Sequence, residues 1–357
     1  MKTRICLMTV VALASLLVAT SATGQARPTS VPAQKIVFVR ADPYVGVRAT
    51  EIITDMDSNS GAFTGRHAGP QFEATARANA RTDEIALMNP DGSGVVELHV
   101  NGSDPALSPD GTRILYCSLR EDVYSQIYTM KADGTDPKRL TNFSTGDACG
   151  PAWSHDGRKI AFYAFALTSP RRNPQIWVMD ADGSNQKRIV DHGIDPTWSP
   201  NDREIAFASD RDRVFQIYVM NADGSNAHRI TKNKGEDSNP AWAPDGGAIA
   251  FSSESEGGRR GLFIVGPDGS DQRRLAFSKH QDFCFPAWSQ DGKYIAFTAL
   301  DRLGSQGIVV GEEKPRCEMW SGQYQIFTFD QDGKVRRLTD AKLMAKHPSY
   351  GLVAAGH

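Results

Sequence analysis

Six oxygen-bearing side chains recur at the same kind of place in this chain: Asp104, Asp147, Asp195, Asp237, Asn239 and Asp282. Each lies shortly before a Pro-x-Trp or Pro-x-Leu stretch. Carboxylates and an amide brought together on one axis could hold Ca²⁺ or another hard divalent cation. They could equally receive a basic peptide segment. The same residue types also close turns by bonding nearby backbone, and that reading accounts for their return at comparable offsets. His192, His280 and His347 occupy similar loops. Three imidazoles on one axis could ligate a transition metal, as a metal-dependent lyase or hydrolase acting on saccharide would require, although their offsets from the following prolines differ. There is no Gly-x-Ser-x-Gly nucleophile elbow, no phosphate-cradling glycine loop and no His-Glu-x-x-His helix. The sequence therefore names no catalytic residue and requires no cofactor.

The elements that would position these residues come from a repeat. Pro240-Ala-Trp-Ala-Pro-Asp-Gly246 returns as Pro151-Ala-Trp-Ser-His-Asp-Gly157 and Pro286-Ala-Trp-Ser-Gln-Asp-Gly292. Weaker copies begin at Pro105 and Pro196. The spacing of about 45 residues is that of propeller-like repeats. An apolar strand follows each copy, as in Ile160-Ala-Phe162, Ile205-Ala-Phe207, Ile249-Ala-Phe251 and Ile295-Ala-Phe297, with Ile114-Leu-Tyr116 and Lys35 to Val39 as variants. A third strand reads Gln126-Ile-Tyr, Gln175-Ile-Trp, Gln216-Ile-Tyr and Gln325-Ile-Phe, with relatives at Glu84 and Gly261. β-branched and aromatic residues in this pattern suit half-buried strands. Asp-Gly turns close each third strand, from Asp91-Gly92 to Asp332-Gly333, and supply hairpin geometry. A basic strand such as Lys138-Arg-Leu-Thr141 completes the unit. Its charge fits an outer edge.

Four strands per repeat, named a to d from the Pro-x-Trp stretch outward, make a propeller blade. The fold class is all-β, a six-bladed propeller over residues 35–357. Blade 1 lacks its strand a at the N-terminal side. His347-Pro-Ser-Tyr-Gly351 matches that strand, so a C-terminal strand is expected to complete blade 1 and close the ring. Residues 27–34 form a lead segment.

These Pro-Ala-Trp-Ser-x-Asp-Gly, Ile-Ala-Phe, Gln-Ile-Tyr-Val-Met-x-Ala-Asp-Gly-Ser and Arg-Leu-Thr series resemble the β-propeller repeats of TolB-like proteins. The resemblance covers nearly all of the chain after the N-terminal segment. It implies a periplasmic or cell-surface interaction role. TolB proteins also carry an α/β domain ahead of their propeller. Here strands begin by Lys35, so the expectation is the propeller part alone.

Lys2 and Arg4, an apolar run from Ile5 to Val18 and small residues to Ala26 predict a secretory signal peptide over residues 1–26. The run is too short for a comfortable span, so no transmembrane segment is expected after its removal. The expected location is periplasmic or secreted. Formal net charge is −2 over 357 residues, which leaves no bulk footprint for nucleic acid. The expected state is a monomer, and the expected partner is a protein or peptide of the cell envelope. A separately encoded protein beside which this propeller works is a further reading.

In a blade the a–b and c–d turns share one face, and the d–a and b–c loops share the other. Length variation falls on the second face, in b–c insertions at about 41–82 and 300–322 of neighbouring blades 1 and 6. Loops on a rigid scaffold are where binding concentrates, so this variable face is the expected binding surface, with Trp320 in the second insertion a candidate contact. Trp153, Trp198, Trp242 and Trp288 read as blade core. Cys117, Cys149, Cys284 and Cys317 remain after the signal, and four cysteines allow three pairings. Cys284–Cys317 would pin an insertion, and Cys117–Cys149 would join adjacent blades. Cys149–Cys284 would span opposite blades, beyond the roughly 7 Å between Cα atoms that a disulfide tolerates.

Overall fold

The Ile-Ala-Phe strands show no inside–outside alternation, and their surroundings explain it. A strand packed by a neighbouring sheet on each face has no solvent side. Ile160, Ala161 and Phe162, Ile205, Ala206 and Phe207, and Ile249, Ala250 and Phe251 are all fully buried. The computed structural model describes residues 33–41, 83–122, 124–165, 173–254, 258–301, 323–339 and 344–353. Among these residues all regular structure is strand, and no helix is long and apolar enough to cross a membrane.

Six four-stranded antiparallel sheets form. From strand a to strand d, blade 1 is β24 (Met344–Val353), β1 (Ala33–Ala41), β2 (Glu84–Met88) and β3 (Val96–Asn101). Blade 2 is β4 (Ser103–Leu107), β5 (Arg113–Ser118), β6 (Gln126–Lys131) and β7 (Lys138–Arg139). Blade 3 is β8 (Ala148–Trp153), β9 (Lys159–Phe165), β10 (Pro174–Asp180) and β11 (Lys187–Asp191). Blade 4 is β12 (Ile194–Trp198), β13 (Glu204–Ser209), β14 (Gln216–Asn221) and β15 (His228–Arg229). Blade 5 is β16 (Asp237–Trp242), β17 (Ile249–Glu254), β18 (Arg260–Val265) and β19 (Arg273–Ala276). Blade 6 is β20 (Gln281–Trp288), β21 (Tyr294–Asp301), β22 (Gln323–Asp330) and β23 (Val335–Arg337). The strands a touch in the cyclic order β24, β4, β8, β12, β16, β20 and back to β24. The ring is closed as the sequence predicts: β24 pairs antiparallel with β1, with Tyr350 opposite Ile36 and Lys346 opposite Val39.

The core lies in layers between blades. One cluster joins Ile36 and Phe38 of blade 1 to Ala296 and Ile326 of blade 6. Another joins Leu115 and Ile127 of blade 2 to Ile160 and Phe162 of blade 3. Aromatic residues face one another across strands b and c: Tyr116 and Tyr128 with ring centroids 5.6 Å apart, Phe207 and Tyr218 at 5.8 Å, Phe251 and Phe263 at 5.8 Å, Phe297 and Phe327 at 5.8 Å. Such cross-strand pairs hold register.

The polar motif residues have a paired task. Gln216 of strand c is fully buried. Its Oε1 accepts from Thr231 Oγ1 at 3.2 Å, and Thr231 Oγ1 accepts in turn from the backbone N–H of Ile217 at 3.0 Å. Gln126 and Thr141 repeat the arrangement at 2.9 Å, with the Ile127 N–H at 2.9 Å. Gln325 and Thr339 do so at 3.0 Å, with Ile326 at 2.9 Å. The threonine continues the c–d ladder where the backbone of the short strand d has turned away, and the glutamine keeps its hydroxyl satisfied. Thr231→Val keeps the shape and deletes both bonds. The Gln216 oxygen keeps the Arg229 guanidinium at 2.7 Å, but stranding the buried Ile217 N–H is expected to cost about 1–3 kcal/mol in urea unfolding, whereas Thr231→Ser should retain most of the stability.

Candidate functional site

Every strand a carries a register shift against strand b at its proline, for instance between Ser103 and Ala106 and between Ile194 and Thr197. The residue before the proline stands in the left-handed region in all six blades: Asp104 (φ 50°), Gly150 (58°), Asp195 (52°), Asn239 (51°), Phe285 (53°) and His347 (54°). An extra residue in one strand of an antiparallel pair is a β-bulge, which bends the strand and re-aims a side chain. The proline that follows has no N–H to leave unpaired on the open inner side of the strand. Asp, Asn, His and Gly are the residues that take positive φ most readily. Phe285 is the exception, and its ring lies against the His347 imidazole with centroids 4.0 Å apart.

These six residues line one central cavity of about 530 Å³, within the range of ligand sites. Two positions further along strand a the wall is made of small residues: Ala106, Ala152, Thr197, Ala241, Ala287 and Ser349. The next wall positions are Trp153, Trp198, Trp242 and Trp288, with Leu107 and Tyr350 in the remaining blades. The tryptophans serve both as core and as cavity wall. Indole N–H groups reach the strand a of the preceding blade, Trp153 to Ala106 O at 3.2 Å, Trp198 to Ala152 O at 3.3 Å and Trp288 to Ala241 O at 3.1 Å. Trp242 instead donates to Gly246 O in its own turn at 3.3 Å. The lining continues to the a–b turns at Pro109, His155, Pro244 and Gln290, so the cavity reaches the face of short uniform turns. His155 is held there by Asp202 of the next blade, whose carboxylate accepts its N–H at 2.6 Å and that of Asp156 at 2.9 Å. This contact explains why Asn201-Asp202 replaces Asp-Gly in blade 4.

The six candidate oxygen donors separate into two sets. Asp104, Asp195 and Asn239 line the cavity. Asp147, Asp237 and Asp282 do not; Asp147 and Asp282 bond backbone of the preceding blade, and Asp237 bonds side chains. Asp147 accepts from the Ser125 N–H at 2.7 Å, and Asp282 accepts from the Arg260 N–H at 2.8 Å with the Arg259 guanidinium at 3.5 Å. Asp237 is fully buried and accepts from Asn233 Nδ2 at 2.8 and 2.9 Å. The histidines do not meet either. Of His192, His280 and His347, only His347 lines the cavity. His192 pairs with Asp210 at 3.1 Å, and His280 bonds Ser278 through its backbone. Trp320 and most of both insertions fall outside the described residues.

Within the cavity the polar groups are coupled in pairs. Asn239 Nδ2 donates to Asp195 Oδ2 at 2.9 Å. His347 Nδ1 lies 2.5 Å from Asp104 Oδ1. Burial opposes ionisation of Asp104, but the His347 imidazole and the Lys346 ammonium outweigh it and hold this carboxyl below its ordinary range. Burial has the upper hand at Asp237 and raises its carboxyl, despite hydrogen bonds from Ser253 and Asn233. Cys117 and Cys149 form a disulfide between blades 2 and 3, Cα atoms 5.2 Å apart. Cys284 is also disulfide-bonded; Cys317 lies outside the described residues.

Gly150 and Phe285 belong to the ring and carry no chemistry that would single them out. Their signal is position: each immediately precedes the repeat proline. Gly150 is required where it stands, because a Cβ there would sit 2.5 Å from the Tyr163 ring. Gly150→Ala is expected to lower stability by about 1–3 kcal/mol in urea unfolding, from crowding and positive φ together. Asp104 gives a pH prediction. A carboxyl lowered in the folded state stabilises above its ordinary value of 3.8, and that stabilisation is lost as pH falls through the folded value. Asp104→Asn should flatten the loss of stability below about pH 4, measured as urea midpoints from pH 7 downward. Asp237, raised, works in the opposite sense, its contribution fading as pH rises above 3.8.

The fold has known counterparts. The sequence profile of the TolB beta propeller domain matches residues 87–195 and again 190–319. An uncharacterized protein of Agrobacterium fabrum is 33% identical over 158 residues, which is 40% of this chain and 52% of that protein. A TolB homolog of Chlorobium chlorochromatii is 34% identical over 145 residues, 40% of this chain and 31% of its own. The chain thus spans about half of the first of these relatives and under a third of the second. The crystal structure of TolB from Acinetobacter baumannii aligns with a TM-score of 0.64 at 20% identity, covering 89% of this chain and 66% of that one. A TolB-like structure from Agrobacterium tumefaciens aligns at 0.57 with 23% identity, covering 69% and 84%. At these identities the structural likeness speaks for the fold. With its profile matched over residues 87–319, the chain belongs to the TolB beta propeller domain family.

Proposed function

We propose that this chain is an exported, non-enzymatic propeller that binds a protein or peptide of the cell envelope, with the central cavity as its receptor. The observation that carries this reading is the ring of small residues along the inner strands, from Ala106 to Ser349, which keeps open a cavity of about 530 Å³. A packed core would fill such a space. Its wall combines aromatic rings with a few oriented polar groups, Asp195, Asn239 and His347, the composition of a recognition site. A cationic or amide-bearing side chain would find acceptors at Asp104 and Asp195. The family supports the same direction, since one relative is a Tol-Pal system protein TolB of Zymomonas mobilis, 38% identical over 73 residues. The N-terminal basic and apolar pattern supports export to the periplasm or beyond. The variable loop face, with Trp320, would supply further contacts around the channel. The metal-dependent lyase or hydrolase reading would call on His192, His280 and His347, of which His347 lines the cavity.

The test is capture of envelope proteins by purified protein beside two variants. Thr197→Trp fills the cavity from the small-residue ring. The second variant shortens residues 41–82. The expected result is a partner whose capture falls at least tenfold with Thr197→Trp. A partner unaffected by Thr197→Trp but lost with the shortened loop would move the site to the variable face and overturn the channel reading.

A further inference from the structure

The outer strands of the six blades are not alike. Five carry a basic pair immediately ahead of a Leu or Ile, from Lys138-Arg139 before Leu140 in blade 2 to Arg336-Arg337 before Leu338 in blade 6. Blade 1 has Val96-Glu97 before Leu98. A uniform charge at an edge blocks pairing with another chain, because like charges would come to lie opposite one another. The strand β3 lacks that guard. At six residues it is the longest of the outer strands described. It also ends its sheet, with β2 on one side only. Val95 is 41% and Val96 54% exposed, and no large apolar side chain among the described residues is more exposed than Val96. The charges of β3 are of mixed sign. Glu97 pairs with Arg40 of β1, and His99 Nδ1 lies 3.8 Å from Glu84 of β2. His99 stands at a bulge with φ 54°, where Leu98, His99 and Val100 together face Ile85. A bulge re-aims a side chain, and that of His99 is 77% exposed.

We propose that β3 is the surface on which a second copy of this chain docks, the two β3 strands pairing antiparallel across a two-fold axis to join two blades into one continuous sheet. The choice of a second copy rests on self-complementarity. Laid antiparallel on itself about Leu98, Val96-Glu97-Leu98-His99-Val100 sets valine opposite valine and carboxylate opposite imidazole, each twice. A two-fold contact is the arrangement that lays one patch on its own copy in this way. Main-chain hydrogen bonds of the added strand supply affinity, and the alternating side chains supply register. Each His99 imidazole would lie between its own Glu84 and the partner's Glu97. The pairing uses the edge of both copies and stops at two, whereas a head-to-tail contact would continue. The other five edges would crowd their basic pairs together in the same arrangement. Strand d is the outermost of each blade, so the contact leaves the channel open. The result is a dimer where the sequence alone suggests a monomer.

The test is sedimentation velocity of the full chain over a range of concentrations. A contact made by short edge strands is small, and half-dimerisation is expected at roughly 1–100 µM. Val96→Lys gives blade 1 the residue that Lys138 supplies in blade 2, at an exposed position. It should weaken association by about tenfold or more with an unchanged far-UV spectrum. Glu97→Lys and His99→Glu should each weaken association as well. Their equimolar mixture should restore it, because the two changes complement one another in antiparallel register about Leu98. Wild-type protein that sediments as a monomer throughout overturns the proposal and leaves the bulge as the protection of this edge. Dimers that persist in Val96→Lys overturn it too. So does a mixture that stays monomeric although each variant keeps the folded spectrum.

Discussion

One backbone feature governs the interior of this ring: a left-handed residue followed by proline, once in every inner strand. The left-handed residue bulges strand a against strand b and turns its own side chain toward the axis. The proline removes a donor that would otherwise face the channel without a partner. After the bulge the alternation of the strand resumes in a new phase. That phase sends a small residue to the channel and then an indole or its equivalent to the wall. Cavity, aromatic wall and polar ring are therefore one consequence of the bulge, repeated six times. The side chain at the bulge is free to vary as long as it accepts positive φ, and this chain uses that freedom. Asp, Gly, Asp, Asn, Phe and His stand at the six positions, so a symmetric backbone presents an asymmetric ring.

The bulge needs a closed circle to have its effect, and closure rests on β24. Chain ends far apart in sequence pair over most of β1, burying Ile36 and Phe38 between blades 1 and 6. An open array would leave β1 as a flat, apolar edge, the kind that aggregates. The edges that remain are the strands d. Several are short and basic, down to Lys138–Arg139 and His228–Arg229, which protects them in the usual way.

Much of this was legible because the repeated residues each perform a local task. Asp-Gly means a turn wherever it falls, and the Gln and Thr of strands c and d recur because each satisfies the other in a buried place. The closing strand could be read from the proline at 348 followed by Tyr350. The site was less legible because residue type was a poorer guide than offset. Aspartates four residues before the proline, Asp147 and Asp282, accept a backbone N–H from the preceding blade. Aspartates directly before it, Asp104 and Asp195, enter the channel. Both are acidic residues of the same loops, and only the count to the proline separates them. Phe285 and Gly150 were invisible to a search for polar chemistry. The choice of Cys117–Cys149 needed the curvature of the ring, which brings the end of strand b in blade 2 against the start of strand a in blade 3. Spacing alone does not encode that approach.

The state of the channel's polar groups bears on what kind of chemistry suits it. A catalytic acid or base works with its proton-bearing atom offered to substrate. Here the acceptors are engaged with neighbours on other blades: Asp195 with Asn239, and Asp104 with His347. Such cross-blade pairs hold each side chain in one orientation before any ligand arrives. Preorganisation of this kind lowers the cost of ordering on binding and gives a ligand a fixed pattern of donors and acceptors to match. The asymmetry of the six ring positions then matters most. A six-fold uniform ring would accept a ligand in six equivalent rotations. A ring carrying carboxylate, glycine, carboxylate, amide, aromatic and imidazole would admit a ligand in one. The physical case for the proposed recognition role rests on that combination: a backbone repeated for rigidity, and one side chain per blade varied for choice.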